Sequence, residues 1–106
     1  MITFEEFQQL DLRVARIVEA KVHPSADRLY VLTVDVDGET RQIVAGIRSS
    51  YTIDELSGKK IVIVNNLEPA TIRGEESAGM LLAAGSSDGP VLLIPEKDVP
   101  SGTKIK

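Results

Sequence analysis

The sequence predicts an all-β domain: a small barrel of short strands with little helix. Three observations predict it. Runs rich in β-branched residues, such as "LRVARIVEAKV" and "KIVIV", recur at short intervals between turn-forming residues. The longest run shifts its apolar parity near Arg16 and Ile17, which marks a bulge or bend. Helix-start signals occur only twice, each before a short segment.

Thr3-Phe4-Glu5-Glu6 is a capping-box pattern, in which Thr3 accepts from the Glu6 amide and Glu6 reaches back. It predicts a helix from Phe4 to Leu10, with Phe4, Phe7 and Leu10 on one stripe. We expect that stripe to plug one end of a core. From Leu12 the signal turns to strand, and His23-Pro24-Ser25-Ala26-Asp27 breaks it as a turn. "LYVLTVDV" places Tyr30, Leu32, Val34 and Val36 on one face of the next strand. Asp37-Gly38 is a hairpin signal leading into "RQIVAG". Thr52 caps a single helical turn through Leu56, and Gly58 ends it. "KIVIVNNL" is an apolar strand ending in two asparagines. A polar loop through Glu76 follows, then a strand over "GMLLAAG", a turn over 86–90, a strand over "VLLI", and a polar tail from Pro95. Five short strands with a helix between the third and fourth is the layout of an OB-fold barrel. An SH3-like barrel or a small open α+β sheet competes with it. The expected architecture is a five-stranded OB-fold barrel with a short N-terminal helix (1–10) and a C-terminal strand extension (86–106).

The chain has 106 residues, which fits one domain over 1–106. A domain of this length buries roughly two-thirds of its extended-chain surface, so it needs no metal or disulfide to fold. It has no cysteine, which excludes disulfides, thiolate zinc sites and cysteine nucleophiles. No stretch approaches the roughly 18 apolar residues of a membrane span, and no signal peptide is visible. A cytoplasmic location is the expectation. The net charge is −4, with acidic and basic residues mixed along the chain and no basic run. Charge alone argues against nucleic acid, unless folding gathers scattered arginines onto one face. The four aromatic residues, Phe4, Phe7, Tyr30 and Tyr51, are few for a protein that stacks successive bases.

No catalytic constellation is present. His23 is the only histidine, and a metal site needs about three or four ligands, so a structural or solvated role is expected. Glu75 and Glu76 are neighbours on a loop and point apart. Neither Ser49-Ser50 nor Ser86-Ser87 has a base nearby, and no phosphate-binding glycine motif occurs. No cofactor is implied. Asn65 and Asn66 are disfavoured at the end of an apolar strand. They either terminate the strand or hold a hydrogen-bonding task. Met80, at the mouth of the next strand, reads alone as a core gap-filler.

Taken together the motifs resemble a known family. "DLRVARIVEAKVHPSADRLYVLTVDV", "RQIVAGI", "YTIDELSGKKIVIVNNLEP" and "IRGEESAGMLLAA" are similar, in collinear order, to the tRNA-binding domain that follows bacterial and archaeal methionyl-tRNA synthetases. The same domain stands alone in small tRNA-binding proteins and ends multi-synthetase cofactors and cytokine precursors. The resemblance implies an OB-fold, a homodimer through the C-terminal strands in bacterial members, and recognition of tRNA by shape. It implies a module that aids a methionyl-tRNA synthetase catalytic subunit in trans or as its detached terminal domain. Relatives that act as export chaperones imply the alternative, a peptide-binding dimer.

The resemblance also implies the site residues. Arg28 stands where the family has lysine, and a guanidinium forks onto phosphate oxygens. Asn66 matches the family's asparagine before leucine and is favoured over Asn65. Arg73, Ser77 and Met80 match as they stand, offering a charge, a hydroxyl and a soft apolar contact to RNA. Glu68-Pro69-Ala70-Thr71-Ile72 lacks the basic residues that relatives place there, and Arg48-Ser49-Ser50 lacks a lysine. Weaker tRNA binding than in a basic relative is therefore expected, with the salt slope lower by roughly 0.7–0.9 per missing phosphate contact.

Overall fold

The computed structural model describes residues 1–106. The elements run α1 (Phe4–Gln8), β1 (Leu12–Val22), β2 (Tyr30–Val36), β3 (Glu39–Ala45), α2 (Ile53–Leu56), β4 (Lys60–Val64), β5 (Ala70–Ile72), β6 (Glu75–Ser77), β7 (Met80–Leu81), β8 (Ala83–Ser86), β9 (Gly89–Leu92) and β10 (Lys104–Ile105). All pairings are antiparallel, and the main sheet has the order β3-β2-β1-β4-β7. The two edges of that sheet then meet. The Ala78 amide donates to Gln42 of β3 at 2.8 Å, which closes the sheet into an OB-type barrel.

The bend in β1 lies where the apolar parity slips. The register against β2 shifts between Ile17 and Glu19. Before the shift β1 pairs mainly with β4, and after it with β2 alone. One bent strand thus serves both halves of the barrel. The β2–β3 hairpin turns at Asp37 (φ 54°) and Gly38 (φ 88°), the left-handed pair that a two-residue turn demands. Ile17, Leu32, Val34, Ile43, Ile61 and Ile63 are fully buried inside, and Leu56 of α2 joins them. Both helices carry complete capping boxes, at Thr3/Glu6 and Thr52/Glu55.

Three expectations are corrected. Helix α1 does not plug the core: none of its residues is buried, and Phe4 is 70% exposed. The chain after it is held instead by Asn66, which accepts from the Asp11 amide at 2.9 Å and donates to the Gln9 carbonyl at 2.7 Å. The polar loop after β4 contains a hairpin, β5–β6, in which Ile72 faces Glu75 across an Arg73-Gly74 turn. The strand expected over "GMLLAAG" is broken at Leu82: β7 stays with β4 while β8 leaves to pair with β9.

The tail from Pro95 is tied back onto the barrel. Lys60 Nζ binds Asp98 and the Val99 carbonyl, both at 2.7 Å, and β10 pairs with the start of β1. Ser101 Oγ donates to Asp35 and accepts from the Asp37 amide. Tyr30 donates its hydroxyl to the Tyr51 carbonyl, and the Tyr51 hydroxyl accepts from the Leu92 amide. These bonds seat the β8–β9 hairpin against the barrel.

Candidate nucleic-acid interface

The loop between β1 and β2 is compact for reasons legible in its atoms. The His23 amide donates to the Leu29 carbonyl at 3.1 Å, closing the loop at its base. Inside it, Leu29 donates to Ala26, and the Ser25 amide donates to His23 Nδ1 at 3.0 Å. Ala26 and His23 are buried, at 8% and 3% exposure. Arg28 stands out from this folded loop, exposed.

The β5–β6 hairpin carries Arg73 at its tip. Arg73 has φ 54° and Gly74 φ 90°, so the turn is left-handed at both central residues. A non-glycine residue here sits in a sterically costly region, and Arg73 occupies it with its side chain exposed. The two loops are bonded to each other. His23 Nε2 meets the Ile72 carbonyl at 3.0 Å, and Ser25 Oγ donates to the Arg73 carbonyl at 3.3 Å. The structure therefore brings the Arg28 loop and the Arg73 turn side by side.

At the hairpin base stand the other residues the sequence singles out. Hairpin tip and base are on the order of 10 Å apart, at about 3.4 Å per strand residue. Met80 is half-buried and pairs with Val64 at the end of β4. Asn66 is exposed, and its two bonds to the α1 junction leave one N–H and one lone pair free.

Ser77 does not belong to that exposed surface. It is 3% exposed; its hydroxyl accepts the Val44 amide at 3.0 Å and donates to the Gly79 carbonyl at 2.9 Å. Its one hydrogen is engaged inside the fold, so it shapes the barrel closure and offers no donor to RNA. Gly79 is required beside it. Its φ is 120°, and a Cβ there would lie 2.9 Å from the Val64 carbonyl oxygen.

Sequence reasoning missed Arg41 and undervalued Asn65. Strand alternation puts Arg13 on the face of Ala15 and Ile17, and Arg41 on the face of Ile43 and Ala45. With Asn65 they line a polar cleft of about 200 Å³ at the β2–β3 end of the barrel. Arg41 Nη1 donates to the Asn65 carbonyl at 3.0 Å, and Asn65 Nδ2 donates to Asp11 Oδ2 at 3.0 Å. Arg13 Nε pairs with Asp11 at 2.6 Å. The Asn65 hydrogen bond, then Arg13, holds the Asp11 carboxyl below its ordinary value of 3.8. An arginine in phase with core residues was the signal that could have pointed to Arg41. No cluster of three His, Cys, Asp or Glu side chains is placed to hold a metal.

Residues 12–104 match the family described as "Putative tRNA binding domain". Over 105 residues the chain is 50% identical to the methionine–tRNA ligase of Pyrococcus furiosus, an alignment covering 99% of this chain but 14% of that enzyme. The chain thus spans a small part of the curated relatives it matches. Among solved structures it is similar to a MetRS-related protein from Pyrococcus horikoshii, at 34% identity and TM-score 0.92, covering 100% of this chain and 98% of that one. It is similar as well to the chaperone CsaA from Bacillus anthracis, at 32% identity and TM-score 0.89, covering 100% and 99%. The chain belongs to the tRNA-binding domain family.

Proposed function

We propose that the chain is a non-catalytic module that binds tRNA by its shape and serves a methionyl-tRNA synthetase, in trans or as its terminal domain. One observation carries this beyond family membership: the exposed Arg28 and Arg73 sit on two loops hydrogen-bonded to each other. The loops after the first strand and before the last are where OB-folds take oligonucleotides. Two exposed guanidinium groups on adjoining loops suit phosphates of a folded RNA, where shape and backbone are read first. Asn66 and Met80 extend the surface toward the hairpin base. Exposed Glu68 and Glu76, with Ala70 and Thr71, leave the rest of the hairpin without positive charge. The module binds less tightly, with a shallower salt dependence, than a basic relative. It works in the cytoplasm as a homodimer through residues 86–106. A tRNA titration at two salt concentrations, with Arg73→Glu beside the wild type, tests the reading.

A second reading is a peptide-binding dimer. It is favoured by the likeness to CsaA and by the exposed apolar side chains Val91, Leu93 and Ile94. Competition decides between the two: tRNA displacing a bound peptide from the Arg28–Arg73 edge counts against a separate peptide function.

A further inference from the structure

We propose that His23 is a positioning residue for RNA binding: its imidazole clasps the Arg28 loop to the Arg73 turn, so that the two arginines meet the ligand as one unit. The proposal rests on the RNA-binding reading above.

The two ring nitrogens have distinct partners. A carbonyl oxygen only accepts, so Nε2 carries the hydrogen and donates to Ile72 at 3.0 Å. A backbone N–H only donates, so Nδ1 is bare and accepts from Ser25 at 3.0 Å. The two bonds fix one tautomer. The Nδ1 bond is local, two residues along the chain, and shapes the turn that leads to Arg28. The Nε2 bond crosses 49 residues to the residue just before Arg73.

The clasp is not needed to build the barrel. Strands β1 to β4 and β7 form a continuous ladder, and Ala78 and Ser77 close it at β3. His23 joins one connection to another, and the one other hydrogen bond between these turns, from Ser25 Oγ to the Arg73 carbonyl, is longer at 3.3 Å. The His23 ring itself is 3% exposed, so both bonds are made from a buried imidazole to partners nearer the surface. Without the clasp each loop would have to be ordered on the ligand separately, and that ordering would be taken from the affinity.

Glutamine places an amide nitrogen near the position of Nε2, and asparagine places an oxygen near that of Nδ1. His23→Gln therefore keeps the bond between loops and loses the local one, while His23→Asn does the reverse. The experiment measures tRNA affinity and thermal midpoint for wild type and both variants at one low salt concentration. The expected result is that His23→Asn weakens binding about tenfold, because the two loops must then be ordered on the ligand separately, while His23→Gln stays close to wild type. Equal weakening in both variants, or none in either, overturns the proposal. If neither variant folds, nitrogen NMR of the wild-type imidazole decides: a hydrogen on Nε2 and a bare Nδ1 support the clasp, and the opposite tautomer overturns it. If the wild type binds no tRNA, the function reading fails and this use of the clasp with it. Amide exchange along the β5–β6 ladder, which Ile72 and Glu75 close beside the clasped carbonyl, is then expected to be faster in His23→Asn alone, and equal rates in all three proteins overturn the clasp itself.

Discussion

The Ser77 hydroxyl accepts the Val44 amide at 3.0 Å across 33 residues, and so joins the last strands of the barrel to the third. Removing it leaves a buried N–H without a partner. Ser77→Ala is expected to destabilise the fold by about 1–3 kcal/mol. Once folded, its affinity for tRNA stays within about twofold of wild type, because no donor faces the ligand. Urea unfolding and a binding isotherm on the same preparation check both halves. A large affinity loss in a fully folded Ser77→Ala protein would return Ser77 to the contact surface.

Arg73 occupies a left-handed turn position that asparagine fills at lower cost. Arg73→Asn is expected to raise stability by about 0.5–1 kcal/mol while weakening tRNA binding. The salt slope of binding drops by roughly 0.7–0.9, the signature of one lost phosphate contact. Unfolding midpoints and affinities at three salt concentrations measure the trade. A variant that is both more stable and equally tight would remove Arg73 from the site.

The proposed dimer is tested at the C-terminal extension. Leu93 and Ile94 remain 43% and 55% exposed in the single chain, although they follow directly on the buried Leu92. Light scattering is expected to give the mass of two chains at micromolar concentration. Replacing Leu93 and Ile94 together by glutamate is expected to give the mass of one. A wild-type protein that is already monomeric contradicts the assignment.

Acid should loosen the barrel mouth through Asp11. Its folded-state value lies below the ordinary 3.8, because Asn65 and Arg13 favour the carboxylate. A depressed carboxyl contributes stability above the unfolded value and loses it as pH falls through the folded one. Wild-type stability is therefore expected to fall from about pH 4 downward, and less steeply in Asp11→Asn. Parallel pH profiles in the two proteins would exclude Asp11 as a source of the acid sensitivity.

The fold was legible wherever it is local. The Thr3 and Thr52 caps, the Asp37-Gly38 turn and the bulge at Ile17 each follow from residues within one or two turns of chain. Helix α1 was legible as a helix, but the stripe of Phe4 and Phe7 says only that something covers it, not what. The β5–β6 hairpin was hidden because arginine at a left-handed turn position is not a turn signal. The site divides the same way. Arg28 and Arg73 could be named as candidates from motif similarity, yet their loops meet through His23 at Ile72 and Ser25 at Arg73, contacts no local pattern announces. Ser77 was named for its motif and misplaced, since its burial follows from how the barrel closes. Arg41 went unseen because strand parity was followed for the apolar residues alone.

The central claim is that the Arg28–Arg73 edge holds tRNA, and one titration tests it most directly. Wild type and Arg73→Glu are titrated with bulk tRNA at low and moderate salt, with folding checked by circular dichroism. The wild type is expected to bind at low salt and weaken as salt rises, and Arg73→Glu to bind at least about tenfold less tightly at low salt. Wild-type binding that is absent at low salt, or unchanged in a folded Arg73→Glu protein, contradicts the account.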